Sequence, residues 1–221
     1  LRNELITRGM QELEPLAPSR DGDEILMLLT IERAMVQLDA MEIGAARASA
    51  QASLDMARQA GDRSMAIRVE DVLGMIDVVS GDIEGGLDRI VALARESERD
   101  HFEDNGVTAY RDAATVAVRV MRYQIAEDSI QQGVRYADSI EQSHCRHVMR
   151  AAAALVAWAD GRWDDAFTSG GQELVDKGCN RGAIGAEVAV GFVAFGRGRV
   201  AEARDLLGRA RTAGDTSGTL E

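Results

Sequence analysis

The sequence is poor in the residues that specify most folds. Aromatics make up 4% of its 221 residues, and proline and cysteine occur twice each. Two prolines are too few for a β-sandwich or a disordered chain. Both fall between Glu14 and Ser19, where a helix has to stop. Cys145 and Cys179 do not make a disulfide framework, which predicts buried free thiols in a reducing, cytoplasmic compartment. No basic-then-apolar stretch follows Leu1, so no secretory signal is read. The longest apolar run, Ala151 to Ala159, is far short of the ~18 residues that a bilayer span needs. Positive charge is also in deficit, the net charge being −12. An acidic surface repels phosphate, so direct contact with nucleic acid or an anionic membrane is not expected, and the charge serves solubility. The chain opens on Leu and in mid-repeat, which predicts a piece excised from a longer protein; Leu220-Glu221 is either native or a cloning scar.

What is present is apolar residue, 46% of the chain and rich in Ala, arranged in an internal repeat of about 40 residues. Gly161 is a convenient origin. Trp163 stands two residues on and small Ala166 five on. The same pattern recurs at Gly81 (Ile83, Gly86), Met41 (Ile43, Ala46), Met121 (Tyr123, Ala126) and Gly198 (Val200, Ala203). Seven residues before each origin stands another small residue: Ala34, Gly74, Ala114, Ala154 and Gly191. Acids follow each origin, at Glu42, Glu84, Glu127, Asp164, Asp165 and Glu202, where the first turn of a helix stabilises negative charge. Each origin is therefore a turn between a helix A and a helix B. The small residues let the two axes approach, and the unit buries its apolar face by stacking on copies of itself.

Gly161-Arg162-Trp163-Asp164-Asp165-Ala166 resembles the tetratricopeptide signature, and Leu73-Gly74 resembles the Leu-Gly pair of that family's helix A. The period departs from the family's usual length of about 34, and most units lack its large helix-A aromatics and terminal proline. The longer period, the Ala-rich fourth helix A and Gly196-Arg197-Gly198-Arg199 are similar to the tetratricopeptide-like region of large ATP-binding LuxR/MalT-type bacterial transcriptional regulators. The resemblance implies an all-α fold of about 11 helices: a right-handed superhelix of stacked antiparallel hairpins, a tetratricopeptide-like α-solenoid. It further implies transcription regulation by a parent chain whose ATPase and DNA-binding helix-turn-helix lie elsewhere. A stand-alone assembly scaffold is the alternative, and an all-helical enzyme the third.

Read in order, residues 1–18 are a partial repeat with one helix (Asn3 to Glu14) and a proline loop from Pro15 to Gly22. Residues 22–213 are five hairpins, and 214–221 a frayed tail. Ile25, Leu28, Leu29, Glu32 and Val36 trace the face of the first helix A. The Met121 turn lacks glycine and is expected to be less sharp. Gly170-Gly171 predicts a kinked or short fourth helix B.

Candidate chemistry is sparse. His144-Cys145-Arg146-His147 groups metal-ligand types but has no second pair at zinc-site spacing. Gly196 to Arg199 lacks the Gly-Lys-Ser/Thr ending of a phosphate loop, and turn chemistry explains its glycines. No catalytic residue, metal or cofactor is assigned. The tetratricopeptide resemblance instead implies a concave groove lined by the A helices. Carried over by position, its residues are Arg68, Asp71, Thr108, Arg111, Thr115, Trp158, Phe192 and Phe195, with Leu155 and Val188 read as core. The occupant expected there is a protein or peptide, another domain of the parent chain, or a small-molecule effector. Gly81, Tyr123, Gly161, Trp163, Ala166 and Ala203 are read as structural repeat positions, with Trp163 the staple of the fourth hairpin.

Overall fold

The structure, a computed structural model, describes residues 2–13, 20–176 and 179–217. Among the described residues the chain forms eleven α-helices and no strand. They are α1 (Arg2–Leu13), α2 (Arg20–Asp39), α3 (Ile43–Ala60), α4 (Arg63–Val79), α5 (Ile83–Arg99) and α6 (Glu103–Arg119), then α7 (Tyr123–Ser139), α8 (Ser143–Ala159), α9 (Trp163–Asp176), α10 (Asn180–Gly196) and α11 (Val200–Ser217). From α1 to α5 and from α7 to α11 consecutive helices pack antiparallel, and α2 with α4 and α8 with α10 pack as alternate members. The fold is an all-α solenoid of helical hairpins. It divides into two compact units, Leu1–Asn105 and Gly106–Glu221. Among the described residues no helix is long and apolar enough to cross a membrane.

Each reversal from α2 to α9, and that between α10 and α11, is made by one residue with left-handed backbone. Such residues stand at 41, 61, 81, 101, 121, 141 and 161, one every 20 residues, and again at 198. At Gly161 the amide donates to the Trp158 carbonyl (3.1 Å) and the next amide, Arg162, to Ala157 (2.8 Å). This is the Schellman arrangement, which satisfies the last carbonyls of a helix with backbone donors. The residue after it starts the next helix: the carbonyl of Arg162 accepts from Ala166, and the Asp62 and Asp82 carboxylates accept from Met65 and Gly85. Met121 makes the same pair of bonds at the same distances, 3.1 and 2.8 Å, so this turn is as sharp as the one at Gly161. The missing glycine shows up as backbone strain: φ is 58° at Met121, 60° at Met41, 63° at His101 and 57° at Glu141.

The small residues flanking each A-to-B turn are buried in every unit. A Cβ on Gly86 would lie 2.6 Å from the Gly74 carbonyl oxygen, so the α4 and α5 backbones meet directly. Gly170 makes room on α9 for a side chain of α10, its absent Cβ falling 2.7 Å from Val190 Cγ2. α9 runs unbroken through Gly170 and Gly171, though at 14 residues it is short.

Several sequence expectations are corrected. The core face of α2 is Met27, Thr30, Ile31, Ala34 and Leu38, while Ile25 is exposed and Leu28, Leu29, Glu32 and Val36 are half-buried. The apolar run Ile25 to Leu29 supplies a residue to every face, so periodicity could not choose among them. Glu127 lies beyond the first turn of α7 and pairs with Arg162 at 3.3 Å instead. Trp163 does not fill the fourth hairpin. Its ring lies across Gly196 of α10, and Trp158 and Phe167 pack on the Ala157–Ala166–Val193 cluster in its place. The helix α11 continues to Ser217, beyond the expected end at Ala213. Pro15, Pro18 and Leu220-Glu221 lie outside the described residues.

A left-handed backbone costs a non-glycine residue about 1–2 kcal/mol. Met121→Gly and Glu141→Gly should therefore each raise stability by about 1 kcal/mol, and Gly161→Ala should lower it by a similar amount, read from urea midpoints. An unmoved midpoint for Met121→Gly would show that no strain is stored at that turn. Gly86→Ala should cost about 1–3 kcal/mol through overpacking. Gly171→Ala, whose Cβ meets nothing within 4 Å, should instead stabilise by about 0.5–1 kcal/mol.

Candidate functional site

Within the unit Gly106–Glu221, helix α8 is covered by α7, α9 and α10, and α10 by α8, α9 and α11. Tyr110 and Tyr136 of this unit are buried and meet edge to face, their centroids 6.2 Å apart. Trp158 of α8 and Phe192 of α10 are half-buried and lie ring against ring, their centroids 4.7 Å apart at 35°. Phe195, one turn further along α10, is 64% exposed. Leu155 and Val188 are half-buried rather than core. These residues form an apolar ledge on α8 and α10, exposed at Phe195.

The polar groove residues behave differently. Arg111 is half-buried and clamps Asp112 through Nε and a terminal nitrogen, each at 2.8 Å. A second terminal nitrogen lies 3.8 Å from Cys145 Sγ. Thr115 donates to the Asp112 carbonyl at 3.3 Å. Thr108, like Arg111, hydrogen-bonds the Cys145 thiol. This group ties α6 to α8 and presents no spare donor fork. In the other unit, Arg68 is exposed and approaches Glu32 at 3.8 Å. Asp71 is 4% exposed within α4, so it belongs to the interior and lines no groove.

The His144-Cys145-Arg146-His147 stretch separates onto different faces. His144 is exposed. Desolvation and the charges of Arg111, Arg181 and His147 hold it below the usual histidine range. Cys145 is buried, and burial pushes its thiol up. Cys179 is a partly exposed free thiol whose sulfur accepts from the Gly182 amide at the start of α10. Among the described residues no group of three or more His, Cys, Asp and Glu is placed to hold a metal. Gly196, Arg197, Gly198 and Arg199 form the α10–α11 turn, and the two guanidinium groups lie 5.5 and 4.8 Å from the Phe167 ring centroid.

Sequence reasoning missed the buried polar pair of this unit. His147 Nδ1 lies 2.7 Å from Glu173 Oε2, and the two residues are 8% and 3% exposed. Arg150 is 3.9 Å from the other carboxylate oxygen. Gly182 of α10 closes over the pair, its absent Cβ falling 3.2 Å from the His147 backbone. The signal was present in the repeat register. The residues equivalent to His147 are Met27, Ile67, Val107 and Ile184, and those equivalent to Glu173 are Ser53, Leu93, Gly133 and Ala210. An imidazole and a carboxylate thus replace two core positions of the fourth hairpin. A shallow, open cleft of about 750 Å³ lies between the start of α10 and α11, with Asn180, Arg204, Gly208 and Thr212 in its wall.

No protein-family model and no curated protein matches the chain. Among solved structures, the crystal structure of BtubC (BKLC) from P. vanneervenii superposes with a TM-score of 0.69 at 12% identity, covering 100% of this chain and 92% of that one. At that identity the likeness is one of fold.

Removing one member of a buried hydrogen-bonded pair leaves the other unsatisfied. Glu173→Ala and His147→Ala should each cost about 3 kcal/mol. His147→Ile combined with Glu173→Leu, the residues of the second hairpin at these positions, should be at least as stable as the parent in urea unfolding. A double variant weaker than either single one would show that the pair is a net source of stability.

Proposed function

We propose that the chain is a non-catalytic, tetratricopeptide-like scaffold that docks a protein partner on the α8–α10 ledge. The observation that carries this reading is the Trp158–Phe192 pair with exposed Phe195 beside it. Aromatic side chains give large contact area at low entropic cost and dominate binding hot spots. Helices packed through Ala and Gly hold such a ledge rigid. The buried titratable pair of this unit, His147 and Glu173, lies inside the hairpin, which supports a binding role over a catalytic one. The two free thiols fit a reducing, cytoplasmic setting.

The finer proposal is that this scaffold is the regulatory segment of a LuxR/MalT-type transcriptional regulator, with the partner being another domain of the same parent chain. It rests on the residues Gly161 to Ala166 and the long repeat. A small-molecule effector would find room in the open cleft between α10 and α11. Reading the flanking coding sequence tests the parent: a phosphate-binding loop upstream and a basic helix-turn-helix downstream are expected. The lack of both in the complete gene would leave the stand-alone scaffold.

Panning a displayed random peptide library on the chain tests the ledge. Enriched peptides should carry large apolar anchors, and Phe195→Asp, an exposed change, should weaken them by about 100-fold, or ~2.7 kcal/mol. Enriched peptides that bind Phe195→Asp equally well, or no enrichment at all, would remove the ledge as the docking surface.

A further inference from the structure

Counted from α1, every second helix is anchored by a large buried apolar side chain, with one exception. α1 buries Ile6, α3 Leu54, α5 Leu87, Ile90 and Leu93, α7 Ile130 and Tyr136, and α11 Leu206. α9 buries Ala166, Gly170 and Glu173. Its own large apolar residues stay nearer the surface: Val175 is 73% and Trp163 37% exposed, and Phe167 and Leu174 are half-buried. α9 is also 14 residues long, against 17 for α7, its equivalent one hairpin earlier.

Apolar burial is the main force holding a helix to its neighbours, and α9 draws little of it. Its first half is seated. Ala166 clusters with Ala157 and Val193, and Trp158 and Phe167 pack on that cluster. Gly170 lies against Ala154 and Val190. Beyond Gly170 the one buried side chain of α9 is Glu173, which meets His147 at 2.7 Å. Burying such a pair takes two polar groups out of water, so its net contribution is small. Two adjacent glycines weaken the helix between the halves. We infer that the second half of α9, from Gly171 to Asp176, is a releasable strap. It opens by local unfolding while α8 and α10 stay folded. Gly170-Gly171 is its hinge and the His147–Glu173 contact its catch. Segments that move are drawn from the least stable parts of a fold. Release wets His147, which is 8% exposed while the strap is closed. The residues packed with Trp158 belong to the first half, so the strap works independently of the ledge.

Native-state hydrogen exchange reads the strap directly. Amides of residues 171–176 should exchange at least about 100-fold faster than those of residues 131–136, the same positions of α7, and with little dependence on low urea, as local openings do. Residues 167–170 should exchange slowly. His147→Ile combined with Glu173→Leu gives the strap an apolar anchor and should slow residues 171–176 at least about tenfold. Gly171→Ala, whose Cβ meets nothing within 4 Å, should slow them about fivefold. Both changes tighten the helix, so loss of folding does not confuse the reading. Phe195→Asp, a change in the ledge, should leave all these rates unmoved, which separates the strap from the proposed function. Equal rates at 171–176 and 131–136, exchange at 171–176 only in urea that unfolds the whole chain, equally fast exchange at 167–170, or rates unmoved by the tightening variants would each overturn the inference.

Discussion

The fold depends on a backbone event repeated at a fixed interval. One residue turns left-handed, its amide and the next close off the helix behind, and the carbonyl of the second opens the helix ahead. Helix ends otherwise leave several donors and acceptors unsatisfied, and here one dipeptide serves both. The interval of 20 residues from 41 to 161 allows about 17 for each helix. A constant interval returns the same face to the neighbour in each hairpin, which is why small residues can recur at fixed offsets. Those residues decide the interaxial distance. Where Gly74 meets Gly86 there is no side chain between the backbones, so the contact tolerates no added carbon without displacement.

The sequence displays half of this rhythm. Turns at 81, 161 and 198 carry glycine, and the small pairs around them mark a beat of about 40. Of the intermediate turns, the one at 61 carries glycine while those at 101 and 141 carry His and Glu, so the finer beat of 20 shows only in part in composition and in full in φ. The face of α2 was hidden for the opposite reason, because an excess of apolar residues fits any face. Of the proposed docking surface, the aromatic residues were legible: scarcity makes each one conspicuous, and Trp158 and Phe192 do meet. Arg111 and Asp71 were not. Their types look exposed, and only the coordinates show the first clamped to Asp112 and the second enclosed. The His147–Glu173 pair lay between these cases. Neither residue stands out along the chain, yet each is foreign to its column of the repeat.

The surface ion pairs add little to this frame. Arg47, Arg58 and Arg209 reach carboxylates on neighbouring helices, yet each side chain keeps 44% or more of its exposure, and exposed pairs contribute less than about 1 kcal/mol. The acidity of the chain is therefore a property of its solvation. Stability comes from close helix contacts and from turns made of backbone.

Because the turns are closed by backbone groups, the side chain of the left-handed residue has no part in closing them. Nothing lies within 4 Å of a Cβ placed on Gly161 or Gly198. Met41 and Met121 keep 67% and 69% of their surface in water while holding a conformation that glycine adopts without strain. Folding alone would favour glycine at both. The residue one further on is different, since Asp62 and Asp82 cap the following helix with their carboxylates. A turn position thus separates into a residue that the fold uses and one that it leaves free.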